Sequence, residues 1–155
     1  MPVEKLREFL DSHHIKYITI DHSPVYTARE VAASTLVPRR EFAKSVMVKI
    51  DGNIAMAVVP ASRHVDLDSL ASAAGAGDAG LATEQEFQQL FPGCEVGAMP
   101  PFGNLYGMDT YVDEMLKEDD DITFNAGTHT QVVRLAYDDF EKLVKPKIAS
   151  FSVKE

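Results

Sequence analysis

Ala43-Lys44-Ser45-Val46-Met47-Val48-Lys49-Ile50, then Asp51-Gly52-Asn53, then Ile54-Ala55-Met56-Ala57-Val58-Val59: two apolar, β-branched runs around a turn triplet predict a hairpin with arms Lys44 to Ile50 and Ile54 to Ala61. The second arm is apolar on both faces, which predicts a central strand. In the first arm side chains two apart share a face, so Lys44 stands with Val46, Val48 and Ile50. Ala43, Ser45, Met47 and Lys49 form the other, more polar face. A lysine heading an apolar face must reach a wet pocket at the strand's end, find an anion or lose its proton. Snorkelling outward from a frayed strand start is the ordinary alternative.

Working outward, Val3, Leu6, Phe9, Leu10 and His13 recur at helical spacing and predict an opening amphipathic helix. Tyr17 to Ile20 reads as a short strand ending at Asp21-His22-Ser23-Pro24. Thr27 with Glu30 makes a capping box for a second helix through about Ser34. After the hairpin, Asp66 or Asp68 caps a helix through Ala74, stopped by Gly75-Ala76-Gly77, and Thr83 with Glu86 opens another that ends near Phe91. Short strands are expected around Leu105 to Met108 and Thr110 to Val112. Paired strands follow over Ile122 to Ala126 and Gln131 to Ala136, and Asp138 with Glu141 caps a last helix through Val144. Helices and strands interleave without a strict βαβ rhythm, so the expected class is α+β, a mixed α/β chain with a mixed sheet flanked by helices. No repeat, linker or low-complexity tract divides residues 1–155, which read as one domain.

At 155 residues the chain can bury about 70% of its unfolded surface without a staple. Cys94 is its one cysteine, which excludes an internal disulfide and fits a reducing compartment. The start lacks an apolar signal core and no apolar run approaches the ~20 residues of a membrane span; a cytoplasmic protein without a membrane partner is expected. The net charge of −9 argues against a general nucleic-acid or DNA binder. Its distribution is uneven. Residues 1–64 carry nine Lys and Arg against seven Asp and Glu, net +2, whereas residues 65–155 carry six against seventeen, net −11. An RNA end is therefore expected on a face built from Arg29, Arg39, Arg40, Lys44, Lys49 and Arg63.

The sequence offers no obvious nucleophile, although spacing alone leaves a serine triad open. Cys94 follows a Pro-Gly turn beside Glu95, which is no electropositive setting for a thiolate. The five histidines show neither H-x-x-x-H nor H-E-x-x-H spacing, so no metal ligand set is expected. The run Glu118-Asp119-Asp120-Asp121 lacks the alternation of a calcium loop. There is no GxGxxG after a strand, no GxxxxGK[ST] and no G-x-S-x-G elbow. No cofactor is expected.

Two stiff or glycine-bearing loops remain. Gly97-Ala98-Met99-Pro100-Pro101-Phe102-Gly103 cannot be helical, because its prolines fix φ and remove two donors. Phe124-Asn125-Ala126-Gly127-Thr128-His129 sets a glycine turn between strands. Together with His22-Ser23-Pro24, Thr27 to Ala32 and Ala43-Lys44-Ser45, these segments resemble, in order from about His22 to about Leu143, the YbaK/EbsC family. That family comprises free-standing aminoacyl-tRNA deacylases and the related editing domain of bacterial prolyl-tRNA synthetases. The resemblance implies a curled, partly barrel-like sheet, places Lys44 on the family's functional lysine, and places Gly97 with Pro101 on its glycine-x-x-x-proline loop.

The activity so implied is hydrolysis of mischarged aminoacyl-tRNA, with tRNA for proline carrying a small wrong amino acid such as alanine or cysteine as substrate. A synthetase pocket rejects a smaller side chain by only about 10- to 200-fold, so a second site must correct the remainder. An aminoacyl ester is activated, and the vicinal ribose hydroxyl can orient or deprotonate the attacking water, so a protein nucleophile is dispensable. The resemblance then gives Lys44 a phosphate or the α-carbonyl region to hold. It gives the backbone of Gly97, Ala98 and Gly127 the developing oxyanion, and Ser45, Asn125, Thr128 and His129 polar contacts. Met99 and Pro101 line the loop, and His22 and Thr27 lie in the motif region. Ser45 after Lys44, and Thr128-His129 where cysteine-type members carry an aspartate, set alanine or another small residue ahead of cysteine. The expected partners are the acceptor end of aminoacyl-tRNA and, beyond it, prolyl-tRNA synthetase. The other function class open to this sequence is a non-catalytic module that binds an amino acid or a synthetase.

Overall fold

The computed structural model describes residues 2–21, 41–91, 94, 95 and 97–154. Its elements in chain order are α1 (Pro2–Ser12), β1 (Tyr17–Asp21), β2 (Ala43–Ile50), β3 (Asn53–Pro60), β4 (Arg63–Val65), α2 (Leu67–Ala74), β5 (Ala79–Leu81), α3 (Glu84–Phe87), β6 (Thr110–Asp113), β7 (Asp121–Asn125), β8 (Gln131–Ala136), α4 (Tyr137–Val144), β9 (Lys147–Ala149) and β10 (Ser152–Lys154). The expected helix after Thr27 lies outside the described residues.

The hairpin forms as expected, with a shorter turn. Ile50 pairs with Asn53 and Lys44 with Val59, so the loop is the two residues Asp51 and Gly52, at φ 48° and 86°. Positive φ at both positions suits the twist of a tight hairpin. β3 is the central strand: it pairs antiparallel with β2 and parallel with β6, in the order β5-β2-β3-β6-β9. A second, antiparallel sheet runs β1-β8-β7, and β4 pairs with β10. The two larger sheets meet where Phe42 bridges Thr123 in parallel and the Thr123 N–H donates to the Glu41 carbonyl at 3.3 Å. They curl toward each other there without closing a barrel.

Each face of β2 feeds a different core. Val48 and Ile50, with Val46 packed beside them, join Val59, Leu70, Tyr111 and Phe151. Ala43 and Met47, from the face read as the more polar, enter the larger core with Leu6, Leu10, Phe102, Phe124 and Phe140. In that core the Phe102 ring lies 5.4 Å from both Phe124 and Phe140, edge-on to the latter, an arrangement aromatic quadrupoles favour.

The Thr83–Glu86 capping box is present, with Thr83 N–H donating to Glu86 Oε1 at 2.8 Å and Glu86 N–H to Thr83 Oγ1 at 3.3 Å. Gly75 stops α2 in the left-handed conformation. Two local readings change. The strand expected around Leu105 to Met108 is a 3-10 turn over Gly103–Tyr106. The last helix begins at Tyr137, so Asp138 lies inside its first turn and caps nothing. Four three-residue strands, β4, β5, β9 and β10, are too short to show alternation.

Gly103 is required by packing. A Cβ there would run into Thr110 Oγ1 and stand 3.0 Å from the Met108 carbonyl oxygen. Gly103→Ala is expected to cost about 1–3 kcal/mol by overpacking, read as a lower urea midpoint, whereas Gly80→Ala, with nothing within 4 Å, should stay within about 0.5 kcal/mol of the parent. Equal midpoints for the two variants would disprove the steric reading.

Candidate functional site

The two loops, thirty residues apart in sequence, are tied backbone to backbone. Glu95 N–H donates to the Gly127 carbonyl at 2.8 Å, and Gly127 N–H donates to the Ala98 carbonyl at 2.9 Å. Both glycines need the left-handed region, Gly97 at φ 86° and Gly127 at φ 102°, which side chains with a Cβ adopt only at a cost. The pairing sets the His129 ring against Gly97, where a Cβ would stand 3.5 Å from His129 Cε1. His129 is 5% exposed. Its N–H donates to Glu95 Oε2 at 3.3 Å, and its Nε2 lies 3.8 Å from the same oxygen.

These bonds change the expected use of the backbone. Ala98 N–H donates to the Glu95 carbonyl at 3.0 Å and Gly127 N–H to Ala98, so both donors are already committed inside the loops. The amides of Gly97 and Thr128 donate to no described residue. Ala98, Met99 and Pro101 are buried, with Ala98 and Met99 in the wall behind the loop rather than at its surface. Thr128 is half-buried, and its Oγ1 lies 3.3 Å from that of Thr130.

Lys44 is half-buried near the start of β2. Two residues on from the Phe42–Thr123 bridge stand Lys44 on one strand and Asn125 on the other, so the sheet junction brings the lysine level with the second loop. Asn125 is 7% exposed, and neither its Oδ1 nor the buried Oγ of Ser45 has a hydrogen-bond partner among the described residues. Buried polar atoms without partners are rare enough to point to a ligand or water. Ser45 lies between Ala43 and Met47, on the face that joins the core holding Met99 and Ala126. His22 and Thr27 lie outside the described residues, as do Arg29, Arg39 and Arg40.

Residues the sequence reading passed over hold this arrangement. Arg134 donates from Nε and Nη2 to Glu41 Oε1 at 3.1 and 2.8 Å, and its Nη2 lies 3.3 Å from Asp121 Oδ2. Glu41 is buried beside the junction. The available signal was Arg134 within Val132-Val133-Arg134-Leu135, the same anomaly as Lys44. Glu95 left no such signal, because its role comes from a loop thirty residues away. A cavity of about 370 Å³ lined by Lys16, Tyr17, Ile18, Asp121, Arg134 and Asp139 opens on the three-stranded sheet, but none of the loop residues lines it.

Two expected RNA contacts are committed elsewhere. Lys49 Nζ lies 2.6 Å from Glu86 Oε2, and Arg63 donates to the hydroxyl and carbonyl of Ser152. Cys94 is half-buried 3.7 Å from the Tyr106 hydroxyl, and burial pushes its thiol up, the opposite of nucleophile activation. Among the described residues no helix is long and apolar enough to cross a membrane.

The paired loops stand on an α+β fold of two touching sheets, and comparison with known proteins gives the class. The profile of the aminoacyl-tRNA editing domain matches residues 22–143, and the chain belongs to that family of deacylases. It is 29% identical over 153 residues to the multifunctional Ser/Thr-tRNA deacylase ProXp-y of Escherichia coli, covering 96% of this chain and 91% of that protein. It is 26% identical to the prolyl-tRNA editing protein ProX of Acetoanaerobium sticklandii, covering 94% and 92%. The fold superposes on a crystallised candidate trans-editing enzyme for prolyl-tRNA synthetase with a TM-score of 0.82 at 22% identity, covering 99% and 97%. A crystallised hypothetical protein gives 0.86 at 21%, covering 96% and 99%.

Two outcomes are expected. Gly97→Val forces a branched side chain into the left-handed region against His129 and should abolish activity while the domain stays folded by circular dichroism; a fully active variant would make the loop a mere connector. The Glu86 carboxyl is held down at about 2 by Lys49 and then by Thr83. Its folded value lies below the ordinary 4.5, so its stabilisation is present above that pH and is lost as the pH falls toward 2. Side-chain NMR should show Lys49→Met moving this midpoint upward, and an unchanged midpoint would remove the ion pair as its cause.

Proposed function

We propose that the chain is an editing deacylase that hydrolyses the ester joining a small wrong amino acid to the 3′ end of tRNA. The single observation that carries this reading is the loop pairing at Glu95, Ala98 and Gly127, which sets Gly97 and His129 together within the editing family's fold. On this reading Lys44 holds a phosphate or the α-carbonyl region. The Gly97 and Thr128 amides serve the oxyanion in place of Ala98 and Gly127. Attack is by water organised by the vicinal ribose hydroxyl, with no covalent enzyme intermediate.

The amino acid is small, with serine or threonine ahead of the alanine or cysteine that the sequence suggests. Two observations support that order: a buried Ser45 Oγ and Asn125 Oδ1 with no partner among the described residues, and the Ser/Thr activity in the name of the Escherichia coli relative. A substrate hydroxyl could satisfy one of these atoms, whereas a methyl would leave it desolvated and unpaired. The tRNA for proline remains the first carrier to test, in keeping with the name of the Acetoanaerobium relative. Docking on prolyl-tRNA synthetase would place the site where such errors arise.

The test is a panel of tRNAs charged with serine, threonine, alanine or cysteine, followed by loss of the acyl group. Lys44→Ala should lower the rate at least ~100-fold, the scale of an oriented charged contact in a partly desolvated site. Activity within threefold of the parent, at unchanged thermal stability, would remove Lys44 from the machinery. A tRNA ending in 2′-deoxyadenosine and charged on its 3′ oxygen should bind almost normally yet react orders of magnitude more slowly; cleavage at the normal rate would transfer the base role to His129.

A further inference from the structure

On the deacylase reading of the two loops, one end of the substrate still lacks a protein partner. Every aminoacyl ester carries an α-amino group beside the carbonyl under attack, and such groups are mostly protonated near neutral pH. An ammonium that leaves bulk water needs acceptors, and a carboxylate is the strongest of them. Across residues 94–104 and 126–130 the only acidic side chain is Glu95.

Glu95 is fixed at three points. Its N–H donates to Gly127, its carbonyl accepts from Ala98, and its Oε2 accepts from the His129 N–H. The side chain is nevertheless 47% exposed, so it is anchored at its Oε2 and still open to solvent, two residues before Gly97. Lys44, level with Asn125 across the sheet junction, brings a cation to the same region. A substrate with a phosphate toward one end and an ammonium at the other matches that polarity.

We propose that the Glu95 carboxylate binds the α-ammonium of the aminoacyl ester, so that the site requires a free amino group and spares N-acylated tRNA. A purely structural staple would occupy the same place, and charge separates the two roles. Glu95→Gln keeps an amide oxygen for the His129 N–H and removes only the negative charge.

The experiment compares seryl-tRNA with its N-acetyl derivative in the parent and in Glu95→Gln. The parent should cleave the N-acetyl ester about 10- to 100-fold less efficiently, the scale of a charge-assisted contact. The variant should raise KM for the free-amine ester by a similar factor with kcat nearly kept, leave the N-acetyl ester unchanged, and so lose the preference. Equal losses on both esters, or no change on either, would overturn the proposal. Calorimetric binding of 3′-serylamido-3′-deoxyadenosine and its N-acetyl form reads the same contact without catalysis. A parent protein that hydrolyses no ester yet prefers the free-amine analogue would remove the deacylase reading and leave the Glu95 contact standing. Equal binding of both analogues, or of neither, would remove the Glu95 contact whatever the rates.

Discussion

The junction of the two large sheets at Phe42 and Thr123 is the constraint on which the placement of Lys44 depends. It joins a strand from the first third of the chain to one from the last third, which sets Lys44 level with Asn125. Next to it the buried Glu41 carboxylate is held by Arg134, itself also near Asp121. Burying a charge is costly unless it is paired, and a pair that loses one member leaves the other uncompensated. That penalty disfavours any sliding of β2 along β7, because a shift would strip Glu41 of its guanidinium. Register at the junction is thus enforced electrostatically where the backbone supplies only one bridge.

The loops above the junction follow a different logic. Glu95 and Gly127 spend their backbone donors in tying one loop to the other and Ala98 spends its own within its loop, which makes the segment rigid at the expense of free N–H groups. Few donors remain to meet a ligand, and those that do are held by residues whose conformations are fixed: Gly97 by its left-handed φ, Thr128 by the turn that precedes β8. Preorganised donors gain their value from such rigidity, since little reorganisation is needed when charge develops.

Charge is used sparingly. The net −9 would repel a polyanion approaching from most directions, and two of the cations that seemed available, Lys49 and Arg63, are occupied by Glu86 and Ser152.

The sequence by itself determined the hairpin, the central strand, the capping box at Thr83, the stop at Gly75 and the two loops that carry the site, because each depends on neighbours within a few residues: turn chemistry, alternation, fixed φ and local capping. Lys44 was legible as an anomaly for the same reason. Only the tertiary structure decided that the more polar face of β2 enters the larger core, that residues 103–106 turn instead of extending, that Arg134 serves Glu41, and that Gly127 spends its amide on the other loop while Ala98 spends its own on Glu95. None of these could be read locally. A face is buried or exposed according to what packs on it, and a hydrogen-bond donor is free or committed according to which distant carbonyl arrives.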